Sequence, residues 1–174
     1  MCVQILDILK EENVPGAFFI LGHPLLKNTD IIKRMKMEGH LVCNHTKNHK
    51  NISEMTRKEI QNNLSDLEML FEEKTGQQMD KFFRPPEGKF SEESLLATKD
   101  SGYKNIFWSY AYADWNDNNQ MSPKKALEKL KANLHAGEIL LLHPTSKTNA
   151  TILKDFIQYA KAEGYRFQSL NELQ

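Results

Sequence analysis

Only two of the 174 residues are cysteine, Cys2 and Cys43, so no disulfide framework holds this fold together. Cys43 sits inside an apolar run, where it reads as a small core residue rather than a ligand or nucleophile. Charge of neither sign prevails: 23 Lys and Arg balance 23 Asp and Glu. That balance gives no basic field for nucleic acid and no acidic tail for a basic partner. Apolar runs are short, and none approaches the roughly 20 residues that cross a bilayer. The opening Met1-Cys2-Val3-Gln4-Ile5-Leu6-Asp7 lacks the basic region and long apolar stretch of a secretory leader. The sequence has no internal repeat, low-complexity tract or linker, and its length suits one domain, residues 1–174, with a sizeable core.

What the sequence does contain is an alternation of apolar strands and amphipathic helices. Apolar residues at 3, 5, 6, 8 and 9 predict a helix from Val3 to Glu12, with no strand ahead of it. Gly16 to Gly22 is a continuous apolar strand bounded by Pro15 and Pro24. Asn28, Thr29 and Asp30 offer caps to a helix over Ile31–Glu38, which Gly39 stops. The Leu41-Val42-Cys43 strand follows. Thr56 and Glu59 form a capping box for a long helix reaching Lys74 and ended by Gly76. Phe82-Phe83 reads as a short strand, Ser91–Ser101 as a helix, Tyr103–Tyr110 as an aromatic strand and Ser122–Leu134 as a helix. Ile139–Leu142 is a fully apolar strand, Ala150–Ala162 a helix, and Tyr165-Arg166-Phe167 a last short strand. Strands apolar on both faces, alternating with helices, belong to a parallel sheet in an α/β domain. The expectation is one parallel, barrel-like sheet, with any site at the carboxyl ends of its strands.

Polar residues stand at those ends. Leu41-Val42-Cys43 runs into His45 and His49, whose spacing lets two imidazoles converge on a metal; alone, the pair also fits two solvated loop histidines. Arg84 follows Phe82-Phe83, and Pro85, Pro86 and Gly88 fix its loop, either to aim the guanidinium at a carboxylate or as a plain structural turn. Asp114 and Trp115 lie past the Phe107-Trp108-Ser109 strand, where the carboxylate is placed to orient a histidine or is a polar loop residue. His143 ends the Ile139–Leu142 strand, as a general acid or as a satisfied rim histidine. Two metal-type histidines, an orientable histidine acid and a carboxylate–arginine pair together describe a metallohydrolase.

These residues resemble, in order and spacing, the motifs of the polysaccharide deacetylases (the NodB homology domain, carbohydrate esterase family 4). The match rests on His45-Thr46 with His49, Arg84-Pro85-Pro86 with Gly88, Asp114-Trp115, and Leu141-Leu142-His143. More narrowly, Phe107-Trp108-Ser109, Asn118-Asn119-Gln120, Ser146 and Asn149-Ala150 resemble the delta-lactam-biosynthetic de-N-acetylases of spore-forming bacteria. The resemblance implies a distorted, incomplete (β/α) barrel and a hydrolase of carbon–nitrogen bonds other than peptide bonds. The substrate it implies is N-acetylmuramic acid in peptidoglycan, on the way to the muramic delta-lactam of the spore cortex. The location it implies is extracytoplasmic, in the cell wall or spore.

By the same resemblance His45 and His49 hold a divalent metal, zinc being expected, and Thr46 braces their loop. Arg84 tunes the catalytic base, Asp114 orients His143, and His143 protonates the leaving amine. Glu87, after Pro86, supplies a backbone oxyanion donor, and Trp115 contacts substrate. The family's first motif, Thr-Phe-Asp-(Asp/Asn)-Gly, which carries the base, does not occur in this sequence, so the expectation is an N-terminally truncated domain lacking its first strand. Glu87 also differs in charge from the arginine expected at its position. Two alternatives follow: a deacetylase of another polymer, such as chitooligosaccharide or xylan, and a catalytically inactive remnant.

Overall fold

The structure, a computed structural model, describes residues 2–116 and 118–173. In chain order its elements are α1 (Cys2–Glu11), β1 (Ala17–Ile20), α2 (Gly22–Lys27), α3 (Thr29–Met37), β2 (Leu41–Asn44), α4 (Arg57–Thr75), β3 (Asp80–Phe83), α5 (Glu92–Asp100), β4 (Lys104–Asn105), β5 (Tyr110–Ala111), α6 (Pro123–Asn133), β6 (Leu140–Leu141) and α7 (Lys147–Ala162). They fall into two compact units: Gly16–Phe107, and Met1–Pro15 together with Trp108–Gln174.

In the Gly16–Phe107 unit four parallel strands pair in the order β1-β2-β3-β4. All four residues of β2 are buried, as expected of an interior strand in a sheet covered on both faces. Its ladder with β3 slips between Cys43 and Asn44, so that Asp80 faces Cys43 and Phe83 faces Asn44. The Asp80 carboxylate sits at this irregularity, accepting from the Val42 N–H at 2.6 Å and from Lys36 at 2.9 Å. The core gathers Ile52, Ile60, Leu64, Phe83, Ala97 and Tyr103, with Met55 packed against it. The predicted capping box of α4 is present: Thr56 accepts from the Glu59 N–H and Glu59 from the Thr56 N–H.

In the other unit β5 and β6 form a two-stranded parallel ladder, Tyr110 facing Leu140 and Ala111 facing Leu141. Ala126 and Leu130 of α6 and Ile152 and Phe156 of α7 build a core with Tyr112. α1 lies along α7, with Gln4 donating to the Ala150 carbonyl at 3.2 Å and Lys154 paired with Glu11 at 2.5 Å.

The α/β class and the parallel pairing stand as expected from sequence, and four expectations need correction. The described strands form two parallel ladders rather than one sheet. Tyr103–Tyr110 is two short strands, because its donors change partner: Ile106 N–H bonds to Phe83 O at 2.8 Å, whereas Ser109 N–H bonds to Ile139 O at 3.0 Å. Tyr165–Phe167 is not a strand. Its first N–H closes α7 by reaching Ala160 O at 3.0 Å beside Gly164 at φ 87°, a Schellman ending. α2 was hidden by Pro24, which the first turn of a helix tolerates because its N–H has no intrahelical partner. Asn28 and Thr29 accordingly bond back to the carbonyls of Pro24 and Leu25 and close α2 rather than cap α3.

His40, 5% exposed, fastens the start of β1, its Nδ1 accepting from the Gly16 N–H at 3.2 Å while its ring stands edge-on to Phe18. An accepting Nδ1 requires the neutral ring. Burial pushes the pKa of His40 down; nearby Glu38 pulls it up and Arg34 pushes it down further. A base whose folded pKa is depressed stabilises the fold fully above its unfolded value, about 6.5, and loses that contribution as pH falls through the folded value. The melting temperature is therefore expected to fall between pH 7 and 5. His40→Asn, which keeps an acceptor near Nδ1 without titrating, should fall less; equal slopes in a pair of thermal melts would exclude His40 as the source.

Candidate functional site

Side chains of the types that do chemistry fall into two groups, one in each unit. In the Gly16–Phe107 unit, β2 ends at Asn44, which is buried although polar and fully bonded: its amide donates to Leu64 O and to the Tyr103 hydroxyl, and its oxygen accepts from the Thr46 N–H at 2.9 Å. The chain then turns sharply. Thr46 and His49 have φ of 71° and 58°, a left-handed backbone that costs a β-branched residue most. The turn holds because the Thr46 hydroxyl accepts from the His49 N–H at 2.9 Å, Asn63 of α4 accepts from the Lys47 N–H at 2.7 Å, and Lys47 pairs with Asp66 at 3.0 Å. Gly22 approaches so closely that a Cβ there would meet Lys47 O at 2.9 Å, and its own N–H bonds to that carbonyl.

This turn brings the His45 and His49 rings to a centroid distance of 5.0 Å, at 78° to each other, His45 buried and His49 exposed. His45 Nδ1 lies 2.6 Å from the backbone carbonyl of Arg84. A carbonyl only accepts, so Nδ1 carries the proton and Nε2 presents its lone pair. The Arg84 guanidinium donates toward that Nε2 at 3.4 Å and lies over the Phe19 ring, 5.0 Å from its centroid. Pro85 and Pro86 are buried behind it. Glu87 takes φ 56° and pairs with Lys89 at 2.7 Å, a bond that holds its carboxyl below the usual range.

In the second unit Asp114, 1% exposed, lies beside the end of β6. Its Oδ1 accepts from His143 Nδ1 at 2.6 Å, and its Oδ2 accepts from the His143 backbone N–H at 2.7 Å and from Asn149 at 2.6 Å. Burial alone would raise this carboxyl, but the bonds from the His143 ring and backbone and from Asn149 hold it below the usual carboxylate range. The His143 side chain is 33% exposed, and the largely exposed Trp115 stands edge-on to it with centroids 6.3 Å apart. A buried carboxylate on Nδ1 fixes the ring's tautomer and leaves Nε2 as the working nitrogen.

The structure thus brings together His45, His49 and Arg84, with Pro86 and Glu87 on the same loop, and separately Asp114, His143 and Trp115. Two neutral imidazoles are the right donor type for a divalent metal, and His45 already has the required tautomer. Among the described residues, however, no three His, Cys, Asp or Glu side chains group as a metal site. Asn44, Asn63, Gly22 and Tyr112 escaped the sequence reading. Only Asn44 left a signal there, as the polar residue at the end of an otherwise apolar strand.

Comparison with known proteins gives this geometry its context. A family model described as polysaccharide deacetylase matches residues 1–106. The chain is 40% identical over 170 residues to the peptidoglycan-N-acetylmuramic acid deacetylase PdaA of Bacillus subtilis, covering 98% of this chain and 65% of that protein. It is equally similar to an uncharacterized 30.6 kDa protein of Geobacillus stearothermophilus, of which it covers 64%. The chain therefore spans just under two thirds of the length of these curated relatives. The structure of Bacillus subtilis PdaA, a family 4 carbohydrate esterase, superposes with a TM-score of 0.94 over 98% of this chain and 73% of that one. A family 4 pseudoenzyme from Bacillus anthracis, 28% identical, superposes with a TM-score of 0.89 over 99% of this chain and 59% of that one. A matching family model over more than half of its length and a shared fold at 40% identity make this chain a member of the polysaccharide deacetylase family.

Proposed function

We propose that the two units form one NodB-type domain whose function is to remove the acetyl group from N-acetylmuramic acid in peptidoglycan. The observation that carries this reading is the Asp114–His143 pair, with its bond of 2.6 Å, its buried carboxylate and its accessible ring. The similarity to PdaA, named for that substrate, supports it. In this reading His143 donates from Nε2 to the departing amide nitrogen, and Asp114 stays ionised and stabilises the imidazolium. Trp115 offers a flat apolar face to the sugar or its acetyl group. The backbone N–H of Glu87 is assigned to the developing oxyanion and Arg84 to the catalytic carboxylate. His45 and His49 are assigned to a divalent metal, zinc, which when bound would polarise the acetamide carbonyl and acidify a water. The freed amine is the group needed for delta-lactam formation, and the cell wall or spore cortex is the place of action. Among the described residues no helix is long and apolar enough to cross a membrane.

No catalytic base is assigned within residues 1–174. The test is acetate release from muropeptides and from chitooligosaccharides, by residues 1–174 alone and by the same residues preceded by a segment carrying Thr-Phe-Asp-(Asp/Asn)-Gly. Release is expected from muropeptides and only with that segment. Release from chitooligosaccharides alone would move the substrate to another polymer. Release by residues 1–174 alone would show the motif dispensable and the roles misassigned. A second reading, a non-catalytic glycan-binding domain, is favoured by the similarity to a family 4 pseudoenzyme; no release in any arm, with retained binding of the glycan, would support it.

Because the described residues offer two imidazoles and no grouped third donor, zinc should bind residues 1–174 weakly. Calorimetric titration is expected to show no tight stoichiometric step. Tight one-to-one binding that disappears in His45→Ala would refute the two-imidazole site.

A further inference from the structure

Asn149 stands in the first turn of α7, buried, and bonds to the carboxylate of Asp114. Its Nδ2 donates to Asp114 Oδ2 at 2.6 Å and to the His143 carbonyl at 3.2 Å, and its Oδ1 accepts from the hydroxyl of Tyr112. Its backbone N–H bonds to Ser146 Oγ at 3.1 Å; that hydroxyl donates to Gln120 Oε1 at 2.5 Å, and Gln120 Nε2 returns to the Asp114 carbonyl at 2.9 Å. The hydrogen bonds close a ring around the carboxylate. The sense of the amide follows from its acceptor-only neighbours. The ionised Asp114 Oδ2 and the His143 carbonyl can only accept, so the amide nitrogen faces them and Oδ1 faces Tyr112, whose hydroxyl donates to it. Burial and the charge of Asp114 push that phenol up to about 12. With Oδ2 holding both the His143 backbone N–H and this amide, the carboxylate is not free to rotate, and Oδ1 stays aimed at the ring.

We propose that Asn149, held in place by Tyr112, is a positioning residue that fixes the plane of the Asp114 carboxylate and thereby the Nδ1–H tautomer of His143. The proposal rests on the reading of His143 as the proton donor, for which an available Nε2 is the requirement. No other side chain of this size supplies one donor and one acceptor in this place: aspartate would set a second anion against Asp114, and an apolar residue would strand both the phenol and Oδ2.

The experiment reads the ring directly in residues 1–174, without substrate. A neutral imidazole free in water carries its proton mainly on Nε2, so the nitrogen shifts of His143 in 15N-labelled protein report the held tautomer. The parent is expected to be dominated by the Nδ1–H form. Asn149→Ala should lower the ratio of Nδ1–H to Nε2–H about tenfold, the scale of one lost bond to a charged group. Tyr112→Phe, which removes one hydroxyl and keeps the packing, should lower it about threefold, part of the same bond energy. The double variant should go no lower than Asn149→Ala, because Tyr112 acts through the amide. If Asn149→Ala does not fold, Tyr112→Phe decides. An unchanged ratio in Tyr112→Phe, or a double variant that adds both effects, would overturn the proposal even where melting temperatures fall. Failure to release acetate would refute the deacetylase reading and leave this measurement unaffected.

Discussion

His143→Ala, in the form that carries the Thr-Phe-Asp motif, is expected to reduce acetate release about 10²–10⁴-fold, the range supplied by a placed general acid. The bound zinc of that form should be unchanged, because His143 is assigned to the leaving nitrogen and not to the metal. His45→Ala should lose zinc and turnover together. Metal analysis and steady-state rates on the same preparations check both. Zinc lost in His143→Ala would contradict the division of roles, and so would turnover kept in either variant. Asp114→Asn belongs to the same set: it keeps the shape of the side chain but removes the charge that stabilises the imidazolium, and it should fall on the His143→Ala scale rather than between it and the parent.

Phe83→Ala is expected to destabilise the fold by about 3–5 kcal/mol, against the 5–15 kcal/mol typical of a whole domain. Phe83 is fully buried, packs edge-on against Tyr103 at 6.2 Å, and belongs to the cluster with Ile60 and Leu64. It also precedes Arg84, and its carbonyl accepts the Ile106 N–H at 2.8 Å. The cavity would therefore open under the loop that holds Arg84 and, through the Arg84 carbonyl, His45. Denaturant unfolding should show the midpoint shift. A loss below about 1 kcal/mol, the cost of a site that collapses well, would mean that this cluster is not the core of its unit.

Much of this was legible in the sequence, and the remainder was not for reasons that can be named. β2 and its histidines were readable because a short buried strand must be apolar until it stops, and it stops at Asn44. The α4 helix was readable because Thr56 and Glu59 announce its start and Gly76 its end. The Tyr103–Tyr110 stretch misled because hydrophobicity records burial and not hydrogen-bond partner, and here the partner changes from Phe83 to Ile139 within four residues. Tyr165–Phe167 misled for a related reason, since the N–H a strand would need is used by the end of α7. In the site, the residue types that do chemistry stood out. Asn149 entered only with the narrower family resemblance, with no role attached, and Tyr112 not at all, because an asparagine at the start of a helix and a tyrosine near an apolar strand have ordinary structural meanings. Their part shows in the bonds that Asn149 makes to Tyr112 and to Asp114.

The bond between His45 Nδ1 and the carbonyl of Arg84 has an evolutionary consequence. Residue 84 contributes through two different atoms: a guanidinium, which one base change in the gene can remove, and a peptide oxygen, which every amino acid carries. Drift at this position can therefore erase the charge in a single step while the proton on His45 stays where it was. A descendant that had lost its arginine would still present a carbonyl at residue 84 to His45 Nδ1.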